Sequence, residues 1–174
     1  MLAAASEEDD MADYPVLKLK KGRDVSLRRG HPWIFSGAVS RVEGHPASGD
    51  VVVAASCDGD PLALGFYQPS DIVFRRLSWD TRETVDIDFW RRRLRDAVSL
   101  RRRILPPDTT AYRLVNAEGD GMPGLVADLY DDVLAVSIGT SGMDRRREEL
   151  VEAFRTELCP GRIYERSEGR SRRR

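Results

Sequence analysis

The chain has 174 residues, 41% hydrophobic and 33% charged, with a formal net charge of -1. That suits one domain or two small ones and supplies enough apolar residues for a core. No apolar run approaches membrane length and no basic leader precedes Leu2–Ala5, so neither a membrane span nor a secretion signal is expected, and a cytoplasmic location with reduced thiols is.

Residues 1–14 are small and acidic and read as a disordered tail: Glu7, Glu8, Asp9, Asp10 and Asp13 occur there without a base. The next stretch has the opposite sign. Between 15 and 41, Lys18, Lys20, Lys21, Arg23, Arg28, Arg29 and Arg41 face Asp24 alone, seven positive charges against one. A near-neutral total therefore hides a basic face. Of the 28 basic residues 25 are Arg, which suits phosphate recognition, although an Arg-rich codon composition is the larger cause.

Short strands and turns are predicted from Val16 to Trp79. "VLKLK" alternates at period two, "GRDVSLRRG" makes a helical turn ended by Gly30, and "VVVAAS", "LALGFY" and "IVFRRLSW" are strands separated by "CDGD" and "QPSD". This pattern predicts a small β-barrel or sandwich. The period then changes. Ile87, Trp90, Leu94, Ala97, Val98 and Ile104 recur at helical spacing, with Asp86 or Asp88 as the cap and Pro106-Pro107 as the stop. "YRLVNAE" and "LVADLY" flank the turn "GDGMPG", and Asp131-Asp132 turns the chain into "VLAVSIG" as a hairpin. Asp144 is expected to cap a second helix bearing Leu150, Val151, Phe154 and Leu158, which ends near Gly161 before a final strand over 162–166. The fold class is α+β: a small barrel at 15–80, an α+β domain at 84–168 and a basic end at 169–174.

Chemistry is sparse. Cys57 and Cys159 have no CxxC spacing and no cationic activation, and with only His31 and His45 no zinc site or triad can be built. In "NAEGDGMPGLVAD" the glycines lead into a strand rather than a helix, so a turn is expected rather than a nucleotide loop. No catalytic residue and no metal ligand is assigned. "LRRGHPWIF" sets basic residues beside aromatics, a combination that binds RNA through phosphate pairing and base stacking. Here Trp33, Ile34 and Phe35 are expected in the core, while His31 before Pro32 fixes an extended backbone. The RNA contacts expected are Lys18, Lys20, Lys21, Arg23, Arg28, Arg29 and His31. Arg91, Arg95 and Arg102 fall on one helical face, read as solvated, with a second RNA-facing surface as the sharper alternative.

"KKGRDVSLRRGHPWIFSGAV", "GDVVVAAS", "ALGFYQPSDIVFRRLSW", "NAEGDGMPGLVADLY" and "IYERSE" together resemble the front half of a bacterial S-adenosylmethionine-dependent methyltransferase family, similar to the enzyme that makes 5-methylcytosine in 23S ribosomal RNA. The resemblance implies a PUA domain, which is a small RNA-binding β-barrel, then a small α+β domain. A Rossmann-like catalytic domain carrying the donor loop and an active-site Cys would begin after "YERSE". None of those catalytic features is found in these residues, so the implied role is RNA recognition without methyl transfer and without a cofactor in this chain. S-adenosylmethionine is expected for the full-length family member. By the same resemblance Asn116, Glu118 and Asp120 would line the side facing the catalytic domain. The implied partner is RNA, specifically large-subunit ribosomal RNA, with a homodimer also open. A stand-alone PUA-type RNA-binding protein is the second reading, and an α+β protein that binds no RNA is the third.

Overall fold

The computed structural model describes residues 14–166. The tail expected over 1–14 lies outside them except for Tyr14, and so does the basic end at 169–174. Tyr14 is no part of a tail: it packs against the main core, and its hydroxyl accepts a 3.0 Å hydrogen bond from Val85 N.

Six strands form the first sheet. They are β1 (Val16–Leu19), β2 (Trp33–Phe35), β3 (Val39–Glu43), β4 (Val51–Ala55), β5 (Pro61–Tyr67) and β6 (Ile72–Ser78), in the order β2-β6-β5-β4-β1-β3. β1 runs parallel to β4 and every other pair is antiparallel. A one-turn helix, α1 (Val25–Arg28), links β1 to β2 and buries Leu27. Leu27 joins Leu17, Leu19, Ile34, Val52, Ala54, Ala63, Val73 and Phe74 in a core of its own, so the helix plugs the inner face of the sheet.

The second unit begins with α2 (Ile87–Ile104). Asp86 caps it, accepting from Phe89 N at 2.9 Å, and Arg101, Arg102 and Arg103 occupy its last turn, where positive charge offsets the helix dipole. A four-stranded sheet follows from β7 (Ala111–Asn116), β8 (Leu125–Tyr130), β9 (Val133–Ile138) and β10 (Arg162–Glu165), in the order β10-β9-β8-β7. Asp131 and Asp132 close the β8–β9 hairpin, with Asp131 at φ 57°, and β10 adds parallel to β9. Between β9 and β10 lie α3 (Ser141–Asp144) and α4 (Arg147–Leu158).

Two expectations need correction here. Asp144 does not cap the second helix. Thr140 caps α3 through its side chain, and the chain turns again before α4, which has no side-chain cap at Arg146. Ile104, expected on the buried face of α2, is exposed at the C-terminal end of the helix, and Phe89, outside the expected set, is fully buried in its first turn.

The two segments share a core. Val51 and Val53 of β4, Leu64 and Phe66 of β5 and Leu77 of β6 cluster with Phe89, Trp90 and Leu94 of α2 and with the inner residues of β7–β9 and α4. β4 is buried along its whole length because Val51 and Val53 face this shared core while Val52 and Ala54 face the inner one. A strand covered on both faces reads as a continuous apolar run, which is what "VVVAA" is. Phe66 is the wedge. Its ring stacks with Trp90 at 6.3 Å, Arg146 sits over it at 5.0 Å, and Gly142 of α3 lies against it so closely that a Cβ there would come within 2.2 Å of Cγ. Polar contacts close the same seam. Arg145 donates to Ser48 O and Asp50 Oδ1 at 3.0 and 2.7 Å, Arg146 donates to Gly49 O at 3.1 Å, and the Ser48 and Ser141 hydroxyls are 2.9 Å apart.

Candidate nucleic-acid interface

The basic stretch runs through α1 and the turns on either side of it. The four residues of α1 are bounded by Gly22 and Gly30, both at positive φ (73° and 93°), which a side chain would strain. The chain reverses at Gly30, whose N–H donates to Leu27 O, and His31 N–H reaches back to Ser26 O. Lys20, Lys21, Arg23, Arg28, Arg29 and His31 are exposed there, and Lys20 Nζ donates to Gly37 O at 3.0 Å. Arg28 pairs with Asp24 at 2.6 Å, which holds the Asp24 carboxyl below its ordinary value and raises the guanidinium above its own. Lys21, Arg23 and Arg29 have no acidic partner among the described residues. Lys18 stands apart: it is half-buried on β1, opposite Arg41 of β3.

α1 lies between two clefts. One, of about 320 Å³, is lined by Arg23, Ser26, Leu27, Trp33, Phe35 and neighbouring backbone. The other, of about 570 Å³, is lined by Leu27, Arg28, Arg29, Gly30, Pro61, Leu62 and Trp79. The first sets Arg23 beside Phe35 and the second sets Arg28 and Arg29 beside Trp79, rings that are 51% and 46% exposed. Of the run Trp33-Ile34-Phe35, expected whole in the core, only Ile34 is buried. β2 is a three-residue strand at the sheet edge, so its side chains alternate and only the central one meets the core. His31 organises the other two. Its Nδ1 accepts from Trp33 N–H at 3.1 Å, and its ring lies 5.9 Å from that of Trp33 and 6.4 Å from that of Phe35.

The combination of basic residues and aromatics in "LRRGHPWIF" occurs again in "VFRRLSW", a second signal for the same site. Arg75 Cζ lies 5.2 Å over Trp33, and Arg76 Cζ 4.6 Å over Trp79. Burial pushes Arg76 below its ordinary value, with Arg93 nearby adding repulsion.

The "NAEGDG" turn is tied inward. Glu118 Oε1 accepts from Trp33 Nε1 at 2.8 Å and from Arg75 at 3.0 Å, so it bridges the two segments. Asp120 receives a two-pronged bond from Arg101 at 2.6 and 2.7 Å and accepts from Asn116 N–H at 2.6 Å, while Arg101 Nε also donates to Arg113 O. Asn116 is exposed at the end of β7. Gly119, Gly121 and Gly124 lie between β7 and the antiparallel β8. Gly124 packs against Thr140, the N-cap of the one-turn helix α3, and the Thr140 hydroxyl donates to Pro123 O at 3.0 Å.

Elsewhere, Arg91 and Arg95 of α2 pair with Glu152 and Glu157 of α4 at 3.3 and 3.2 Å, so that face is an inter-helix ion ladder, while Arg102 stays exposed. Desolvation and the Asp58 carboxylate, 3.4 Å away, push the Cys57 thiol up and away from nucleophilic chemistry. Among the described residues no group of His, Cys, Asp and Glu could hold a metal ion, and no helix is long and apolar enough to cross a membrane.

Residues 17–79 match the family model of a PUA-like domain. A protein from Vibrio cholerae named ribosomal RNA large subunit methyltransferase I is 41% identical over 155 residues, covering 88% of this chain and 39% of its own length. Its namesake from Aeromonas salmonicida is 44% identical over 152 residues, covering 86% and 38%. A solved structure from Streptococcus mutans, provisionally assigned as a SAM-dependent methyltransferase, superposes with a TM-score of 0.74 at 23% identity, over 87% of this chain and 40% of that one. At that identity the likeness speaks for the fold alone. The chain spans about two-fifths of the length of the curated relatives it matches. The residues of its first sheet thus match a PUA-like domain, and over 86–88% of its length the chain is similar to a portion of ribosomal RNA large subunit methyltransferases.

Proposed function

We propose that these residues are the RNA-recognition portion of an S-adenosylmethionine-dependent ribosomal RNA methyltransferase whose product is 5-methylcytosine in large-subunit RNA. The observation that carries this reading is α1 with its exposed cations, set between two clefts that each present an aromatic ring. Arg28, Arg29, Arg23, Lys20 and Lys21 meet phosphates as an electrostatic surface, and His31 holds Trp33 and Phe35 at its rim. Lys18 lies along β1 and contributes charge from the flank. The names of the relatives support ribosomal RNA as the partner.

The second unit acts as a rigid spacer. Its shared core with the PUA-like sheet and the Glu118 bridge fix the angle between the RNA-binding face and the opposite end of the chain. Asn116, Glu118 and Asp120 orient that surface rather than react. None of these residues is assigned a part in methyl transfer, so the purified chain is expected to bind RNA without methylating it.

Filter binding of a ribosomal RNA fragment across a salt series tests the proposal. Affinity that falls steeply with salt, without methyl incorporation from labelled donor, is the expected result. Salt-independent binding, absence of binding, or methyl transfer by the chain alone would each overturn it.

A further inference from the structure

Arg76 is an unusual cation. It lies on β6, half-buried, and its Nε is enclosed without a hydrogen-bond partner among the described residues. It has no carboxylate partner among them either, although its neighbour Arg75 pairs with Glu118 and nearby Arg93 with Glu83 at 3.5 Å. Its visible side-chain interaction is with the Trp79 ring, 4.6 Å from the guanidinium carbon. A desolvated cation with no counter-ion is costly to keep. Its effect is to brace a large aromatic side chain that remains 46% exposed. That side chain lines the cleft it shares with Arg28 and Arg29, and about 570 Å³ falls within the range of small-ligand sites.

We propose that this cleft holds one unpaired RNA nucleotide, with its base stacked on the Trp79 indole and its phosphate on Arg28 and Arg29. The inference rests on the RNA-recognition reading above and adds the form of RNA and the place where it is read. Stacking requires an accessible base face, which a duplex conceals and a loop or bulge presents. Arg76 restricts the ring before the ligand arrives, so less freedom is lost on binding. Leu62 and Pro61 supply the apolar floor against which a base edge can rest.

Fluorescence anisotropy with a labelled single-stranded RNA of about eight nucleotides and a labelled RNA duplex of about twelve base pairs separates the outcomes. For the single strand, Trp79→Ala is expected to weaken binding by about tenfold, and Trp79→Phe to restore most of it. Duplex binding should change by less than about twofold, because phosphate contacts persist. Single-strand affinity that stays at the wild-type level in Trp79→Ala, while Arg28→Ala/Arg29→Ala weakens it, would sink the stacking site and leave RNA recognition standing. Equal weakening of single strand and duplex would also sink it. A wild-type chain that binds neither RNA would remove both readings together.

Discussion

Trp33 and Glu118 are 85 positions apart in the chain, yet the indole Nε1 donates to the carboxylate Oε1 at 2.8 Å. Arg75 donates to the same oxygen at 3.0 Å and lies over the Trp33 ring. One carboxylate from the second unit therefore holds an aromatic side chain that lines the cleft beside α1. Replacing Glu118 by Ala leaves both donors without their acceptor and is expected to cost about 1–3 kcal/mol. Glu118→Gln keeps an acceptor for Trp33 and should cost less. Urea denaturation measures both, and a Glu118→Ala chain as stable as the wild type would remove the bridge from the account.

The Arg101–Asp120 pair is a stronger test of the same turn. Their side chains are only 11% and 7% exposed, and both prongs of the guanidinium are used. Removing one partner strands the other charge in a poorly hydrated site, so Asp120→Ala should destabilise by about 3–5 kcal/mol. Arg101→Lys, which keeps the charge but loses the fork, should fall between that variant and the wild type. Thermal or urea unfolding checks the order.

Gly142 faces the Phe66 ring with no room for a methyl group. Its backbone does not need positive φ, so Gly142→Ala tests packing alone. The α3 turn must retreat from β5 or Phe66 must leave its rotamer, at an expected cost of about 1–3 kcal/mol. Unfolding should remain one transition in the wild type because the core is continuous across both segments. Separate transitions for the two sheets would contradict the shared core.

Asp24 titrates below its ordinary 3.8 because Arg28 donates to it. A carboxylate depressed in the folded state lends stability that is present above its unfolded value, about pH 4, and is lost as pH falls through the lower folded value. The Asp24–Arg28 link at α1 should therefore persist at neutral pH and open only in acid. Carboxyl carbon NMR follows Asp24 directly. In Arg28→Gln its midpoint should move up toward the ordinary value, and an unmoved midpoint would show that the pair is not formed in solution.

The secondary structure was legible where one residue pattern decides the matter. "VLKLK" alternates, Asp86 caps an amphipathic helix, and Asp131-Asp132 turns a hairpin. What was not legible depended on long-range contact. Trp33 and Phe35 are as apolar as any core residue, and only the edge position of β2 turns them outward. Thr140 outcompetes Asp144 as a cap because the chain makes a separate turn to seat Gly142 against Phe66, a requirement local propensity does not contain. The shared core left one readable mark, the unbroken "VVVAA", which fits a strand covered on both faces better than a barrel strand with a wet exterior. At the candidate site, the charges around α1 were visible in the sequence. The pairing of Arg76 with Trp79 is not legible in the sequence, because it depends on the conformation at the end of β6.

The account's central claim is that α1 and its flanking clefts bind RNA, and a salt titration of RNA affinity for wild type and Arg28→Ala/Arg29→Ala tests it most directly. The predicted result is a linear fall of log affinity with log salt, whose slope flattens by about 1.4–1.8 in the double variant if each arginine meets one phosphate, with its melting temperature nearly unchanged. Equal affinity and equal slope for the two proteins would contradict the claim.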